Sequence, residues 1–254
     1  MWQGDYGFVL SNLVKKDFKV RYRNMSLGVL WSVLNPLVTM GALAFVFTQI
    51  FPTASRPHFA VFLLCGLVPF NFFSMAWNTG TNSLMDNYSI MKRVRVPREL
   101  FPVATVLGNC VHLLIQIGIL IAFTLGSGLK VNIYWLWLPY VWIMEILFVC
   151  GLALITSAIN IYIRDTRYVV ESLNVVLFYF VPIFYGHDKI PENLVEVVHY
   201  NPVAALILAL RNILWEGIPP GGPLMVKLTG SSFAALIVGF LVFRRLSRGF
   251  FDHM

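Results

Sequence analysis

Apolar runs dominate the pattern along this chain, and short basic segments punctuate them. Six runs are long and apolar enough to be expected membrane spans: 27–51, 59–77, 101–125, 133–162, 168–185 and 224–243. Pro36 and Pro69 fall inside the first two, where a missing backbone donor predicts a kink. The fourth run opens on Tyr134, Trp135, Trp137, Tyr140 and Trp142, the residue types that favour a membrane–water boundary. Residues 6–23 read as an amphipathic helix lying at the membrane surface. At 100° per residue Tyr6, Val9, Leu10, Leu13, Val14 and Val20 share one face, and Lys15, Lys16, Lys19 and Arg23 the other. Arg21 and Asp17 break that pattern. The stretch 186–223 alternates apolar pieces with prolines and charges, so it predicts two short helices that dip into the membrane from outside and return.

Composition agrees with an integral membrane protein. The chain has 254 residues, 58% hydrophobic and only 12% charged, with a mean hydropathy of +0.73. A soluble domain carries about 25% charged residues. Six spans leave little chain for a separate soluble domain, and the first apolar run lacks the cleavage site of a removable leader. The net charge of +7 raises the question of nucleic acid. The cations flank apolar runs instead, and they fix topology. Fourteen of the nineteen Lys and Arg fall before the first span, between spans two and three, between spans four and five, and at the C-terminus. All of these are then cytoplasmic, as are both termini, and nucleic acid is no partner.

Candidate chemistry is sparse. There is no GxxxxGK[ST] loop, so ATP cannot be held in the usual way, and HExxH, CxxC and GxSxG are also missing. Cys65, Cys110 and Cys150 sit in apolar runs and read as packing residues. His112 reads as a helix-packing group. With Glu171 assigned to the inner connection IRDTRYVVE, Glu145 is the one acid within an apolar run. It is either a cavity-facing or hydrogen-bonded structural carboxylate, or a proton-relay group that needs partners. Aromatics able to stack on sugars are plentiful, and Trp31, Phe45, Phe73, Trp77, Tyr179 and Tyr185 join Glu145 as candidates to line a path. The basic connection 86–100 is longer than a hairpin of spans requires and has its own apolar pattern, which favours a docking helix for a cytoplasmic partner over topogenic charge alone.

Four stretches, in order, resemble the membrane subunit of type-2 ATP-binding-cassette exporters that move polysaccharides across the bacterial inner membrane. They are RYRNMSLGVLWSVLNP at 21–36, IMKRVRVPRELFP at 90–102, IRDTRYVVE at 163–171 and HYNP at 199–202. The resemblance implies an all-α permease that pairs with a second copy of itself and with two ATPase subunits, which carry the ATP and Mg. By the same resemblance this chain is expected to bind no cofactor of its own and not to be an enzyme. It implies that Ile90, Met91, Lys92, Arg93, Val94, Arg95 and Arg98 form the helix that couples to the ATPase, and that Tyr200, Asn201 and Pro202 belong to an outer gate. The cargo that the resemblance implies is a polyprenyl-diphosphate-linked glycan of the O-antigen type. Lys19, Arg21 and Arg23 are expected to attract the diphosphate headgroup, or else to set topology and touch the ATPase. Other cargoes on the same plan are teichoic acid, capsule, lipid or drug. The reading from a different class is a polytopic membrane enzyme acting on lipid carriers.

Overall fold

The computed structural model describes residues 5–22, 30–50, 57–94, 96–186 and 201–250. Those residues are all-helical, with no strand among them. In chain order they form α1 (Tyr6–Tyr22), α2 (Trp31–Phe45), α3 (Phe59–Asp86), α4 (Tyr88–Arg93), α5 (Leu100–Gly126), α6 (Leu138–Tyr162), α7 (Thr166–Phe180), α8 (Pro202–Arg211) and α9 (Gly222–Leu246). A π-helical turn, Val46–Ile50, continues α2, and another, Asn212–Glu216, continues α8. A 3-10 turn, Ile133–Trp137, leads into α6.

Four of these stretches are long and apolar enough to cross a membrane: Phe59–Arg93, Leu100–Gly126, Ile133–Tyr162 and Gly222–Gly249. They coincide with the second, third, fourth and sixth expected spans. The expected first and fifth spans appear as α2 and α7, of 15 residues each. Part of the first lies outside the described residues.

The core is α3 packed against α5 and α6. Phe62, Leu63, Leu64, Leu67, Phe72 and Phe73 of α3 are almost wholly enclosed. Phe73 stacks on Phe148 of α6 with ring centroids 6.1 Å apart. Between apolar helices in a bilayer, close packing and polar contacts replace the hydrophobic drive. Accordingly, small and polar residues stitch the core. Thr81 meets Thr156 at 2.6 Å, Asn109 Nδ2 donates to Thr79 Oγ1 at 2.9 Å, and Asn160 Nδ2 donates to the Thr81 carbonyl at 3.2 Å.

These contacts explain why α3 runs on to Asp86 when the apolar run ended at Trp77. Thr79, Thr81 and Asn82 look like loop residues in sequence, yet α5 and α6 supply their partners and the helix continues. On its other side α6 packs against α9 through Gly151 and Gly239. Tyr140 and Thr229 meet at 2.5 Å at one end of this seam, and Tyr162 OH donates to the Leu246 carbonyl at 2.7 Å at the other.

α7 stops at Phe180 instead of running on to Tyr185. Pro182 disfavours helix at the residue before it, and Val181 is extended at φ −92°, ψ 139°. The chain then lies against α3, where Gly66 permits the approach: a Cβ there would stand 3.0 Å from Ile183 Cα. Of the stretch 186–223, where two short re-entrant helices are expected, residues 187–200 lie outside the described residues. The remainder holds α8, whose Leu206, Ile207 and Leu210 are fully buried. Gly217, at φ 68°, ends it in the left-handed conformation that glycine adopts without strain.

Candidate functional site

Three features converge on the helices that the sequence marked: a platform at one end, a groove along α3 and α7, and a clamp at the opposite end.

The platform is built from α1, α4 and the ends they rest on. Val9, Leu10, Leu13 and Val14 pack on a cluster that includes Leu84, Phe101, Ala104 and Leu154. The apolar stripe of α1 therefore packs on α5, while Tyr6 and Val20 stay exposed. Asp17, which broke the amphipathic pattern, is an anchor. Thr105 Oγ1 donates to Asp17 Oδ2 at 2.8 Å, and Lys16 pairs with Asp17 at 3.4 Å. Lys16 Nζ also donates to Asn87 Oδ1, at the joint between α3 and α4. One lysine thus ties α1 to the base of α4.

Within α4, Ile90 and Met91 turn toward the core cluster while Lys92 and Arg93, and Val94 just after the helix, are exposed. Lys92 Nζ sits 4.4 Å over the Tyr88 ring. Arg98 is used internally. Its Nη1 donates to the Ser247 carbonyl at 2.9 Å, and its guanidinium lies 5.5 Å from the Phe250 ring centroid. Burial lowers its affinity for a proton below that of a free arginine, with Glu99 opposing the shift. Arg98 so serves the end of α9, and the surface offered outward is Lys92, Arg93 and Val94. Lys19 is exposed on α1. Arg21 lies in the last turn of α1, and its side chain is outside the described set, as are Arg23 and Arg95 entirely.

The groove, of about 470 Å³, is lined by Phe70, Ser74 and Asn78 of α3 and by Glu171, Asn174, Val175, Phe178 and Tyr179 of α7. The spacing explains the lining. Ser74, Asn78 and Asn82 recur every four residues on α3, and Arg167, Glu171 and Asn174 recur every four or three on α7, so each helix carries one polar stripe. Asn174 Nδ2 donates to Asn78 Oδ1 at 3.3 Å, and the Asn174 Oδ1 is buried without a partner among the described residues. Phe70 and Phe178 meet edge to face at 5.4 Å, and Phe178 meets Tyr179 likewise at 5.4 Å. The wall thus alternates ring faces with amide and carboxylate groups. That combination suits a sugar chain, whose apolar faces stack and whose hydroxyls hydrogen-bond.

Of the expected path-lining residues, Tyr179 lies on this groove and is 62% exposed. Tyr185 is half-buried beside it, its OH donating to the Tyr179 carbonyl at 3.2 Å. Trp31 and Phe45 are exposed on α2. Phe73 and Trp77 lie behind the groove in the core, packed on each other at 5.4 Å. Glu145 is fully buried within α6, with neither carboxylate oxygen hydrogen-bonded among the described residues. These three line no groove wall, because the face of α3 that carries Phe73 and Trp77 and the face of α6 that carries Glu145 are both spent on helix packing.

The clamp is Arg211, at the end of α8 and only 3% exposed. Its Nη2 donates to the Ile183 carbonyl at 2.6 Å and its Nη1 to the Tyr185 carbonyl at 3.3 Å. Its guanidinium lies 3.6 Å from the Phe62 ring centroid, a cation–π contact. It binds the segment after α7 to α3 and α8. Asn201 caps α8 by accepting from Val203 N at 2.9 Å, and Pro202 takes the first helical turn. Tyr200 lies outside the described residues.

Sequence reading passed over Asn78, Asn174 and Arg211. The four-residue polar spacing on α3 and α7 was the available signal for the first two. Nothing local marks Arg211, whose partners are 26 and 28 residues away. Among the described residues, no group of three His, Cys, Asp or Glu gathers as a metal site, and all three cysteines are free thiols.

Comparison with known proteins places the chain in a family. The family model for the ABC-2 type transporter matches residues 9–215. An O-antigen export system permease protein RfbA of Klebsiella pneumoniae is 32% identical over 240 residues, covering 94% of this chain and 92% of its own. The protein of the same name from Myxococcus xanthus is 27% identical over 223 residues, covering 87% and 85%. The polysialic acid transport protein KpsM of Escherichia coli is 23% identical over 242 residues, covering 91% of each. The chain belongs to the ABC-2 type transporter family of membrane proteins.

Proposed function

We propose that this chain is the membrane-spanning subunit of an ATP-driven exporter that moves a lipid-linked polysaccharide of the O-antigen type outward across the bacterial inner membrane. Family membership and relatives named for O-antigen export support the class of cargo. The observation that carries the reading furthest is the α3–α7 groove. An aromatic and amide wall, on helices of a chain whose relatives are named for polysaccharide export, is chemistry for a sugar chain: rings for its apolar faces and the half-buried Asn78–Asn174 amide pair for its hydroxyls.

In this reading the chain crosses the membrane six times, with α2 and α7 completing the set of four long helices and both termini in the cytoplasm. Two copies face each other across the path, each bringing its α3–α7 wall. Two ATPase subunits dock from the cytoplasm on Lys92 and Arg93 of α4 and on Val94 just after it, and the ATP and Mg stay with them. Movement of α4 reaches α3 directly and α1 through Lys16. Arg211 and α8 hold the outer end. Lys19, exposed on α1, adds positive potential for an anionic headgroup, and Arg21 and Arg23, which follow it in sequence, are proposed to add to it.

The test is complementation of a strain lacking this chain, read by surface polysaccharide on an immunoblot. Asn174→Leu and Tyr179→Ala should lower surface glycan severalfold while ATPase co-purification stays at the parent level. Full export by both variants would remove the groove from the path.

A further inference from the structure

A second recess of about 390 Å³ opens at the α4 end of the molecule, one turn beyond the groove. Asn82, Met85 and Asp86 of α3, Asn160 of α6, and Arg164 and Arg167 around the start of α7 line it. Its size lies within the roughly 300–1,000 Å³ typical of small-ligand sites. It continues the two polar stripes: Asn82 follows Asn78 by four residues, and Arg167 precedes Glu171 by four. The recess is therefore the end of the same polar seam that forms the groove.

Its chemistry is unbalanced in a particular way. The one ion pair among the described residues joins Lys16 and Asp17, so neither Arg164 nor Arg167 is neutralised by a carboxylate within 4.0 Å. Both are exposed and flank the N-terminal end of α7, where the helix dipole already favours an anion and disfavours a cation. Arg167 is held in place, its Nη2 donating to Tyr168 OH at 2.7 Å and its guanidinium 4.5 Å from that ring centroid. The floor is Asn160, 2% exposed. Its amide nitrogen is spent on the Thr81 carbonyl at 3.2 Å and Asn82 Oδ1 at 3.5 Å, while its Oδ1 is buried without a partner among the described residues. The recess thus offers two guanidinium forks at the rim and, on the floor and wall, acceptors at Asn160 Oδ1 and the Asp86 carboxylate. Forks bind phosphate oxygens in pairs, and the acceptors take sugar hydroxyls.

We infer that this recess binds the phosphate-bearing first sugar of the lipid-linked glycan, with Arg164 and Arg167 on the diphosphate and Asn160 on a sugar hydroxyl. The inference rests on the export reading above and assigns its cargo a point of entry. A glycan held here by its charged end has its next sugars directed into the Asn78–Asn174 groove.

The test uses the complete exporter, permease with ATPase, in nanodiscs. Native mass spectrometry measures occupancy by a polyprenyl diphosphate bearing one N-acetylated hexosamine. Inorganic pyrophosphate and added phosphatidylglycerol serve as competitors. Arg164→Ala with Arg167→Ala should weaken binding at least tenfold, the paired lysine variant should recover part of it, and Asn160→Leu should weaken the glycosylated lipid more than the bare polyprenyl diphosphate. Pyrophosphate should displace the ligand from the parent, and phosphatidylglycerol should not.

Equal binding by parent and double alanine variant overturns the assignment, as does displacement by phosphatidylglycerol at the same concentration. Loss of the ATPase from the double alanine variant also overturns it, since the arginines would then be a protein contact. Glycan export by the parent in the complementation strain distinguishes the two levels: if the parent exports and the variant binds normally, only this assignment falls.

Discussion

The close crossing of α6 and α9 gives a sharp quantitative test. A Cβ added at Gly151 would stand 2.3 Å from Ala235 C, 2.4 Å from its carbonyl oxygen and 2.5 Å from Leu236 N. One added at Gly239 would stand 2.4 Å from the Gly151 oxygen. Carbon atoms in contact prefer about 3.5–4.0 Å, so an alanine at Gly151 must part the helices by about 1 Å. The obstacles are backbone atoms of two 25-residue helices, which cannot swing aside as a side chain can. Overpacking of this kind costs about 1–3 kcal/mol. Stretching the Tyr140–Thr229 and Tyr162–Leu246 contacts adds to it, with interhelical hydrogen bonds averaging about 0.6 kcal/mol each.

The control is Gly118→Ala on α5, where a Cβ meets nothing within 4 Å. The same substitution there should stabilise the helix by about 0.5–1 kcal/mol. The assay is the midpoint of thermal aggregation of the complete exporter, followed by size-exclusion chromatography. Gly151→Ala should lower it by several degrees, Gly118→Ala should leave it level or raise it, and Gly151→Ala with Gly239→Ala should cost less than the two singly, since one separation serves both. A Gly151→Ala protein as stable as the parent, or a Gly118→Ala protein equally damaged, would refute the packing argument.

The remaining predictions concern function. Charge reversal at Lys92 and Arg93 should reduce ATPase co-purification or uncouple ATP hydrolysis from export, and normal values of both would remove α4 from docking. Arg98→Ala should lower thermal stability without touching ATPase co-purification, because Arg98 serves the Ser247 carbonyl; a loss confined to ATPase binding would contradict this. Arg211→Met should strip donors from the Ile183 and Tyr185 carbonyls, charge-assisted bonds worth about 1.5–3 kcal/mol each. Proteolysis near Gly186 should then accelerate, and an unchanged cleavage rate would show that Arg211 clamps nothing. Glu145→Gln should leave export intact, since the amide keeps the buried shape; abolished export would require the carboxyl group itself.

The all-helical class and the four long apolar helices were legible in the sequence, because apolar length and flanking charge are local properties. The exceptions have non-local causes. Thr79, Thr81 and Asn82 read as a connection because their partners on α5 and α6 are invisible from α3 alone. Val9, Leu10, Leu13 and Val14 were legible as one apolar face, but not as a face for α5, since the Asp17–Thr105 contact that orients α1 spans 88 residues. Phe73, Trp77 and Glu145 were chosen for residue type, and type does not separate a core face from a path-lining face. The polar spacing Ser74–Asn78–Asn82 carried the groove and would have found it. Arg211 could not be found this way, since its role exists only once α8 folds back on the end of α7.

The most direct test of the account is reconstitution of this chain with its ATPase subunit in sealed vesicles whose inward-facing exporters carry lipid-linked glycan on the outer leaflet. The readout is protection of the glycan from an added endoglycosidase. The account predicts protection that grows with ATP, is lost with a hydrolysis-deficient ATPase and falls severalfold with Asn174→Leu. Glycan that stays fully accessible with ATP, or becomes protected equally without it, would contradict it.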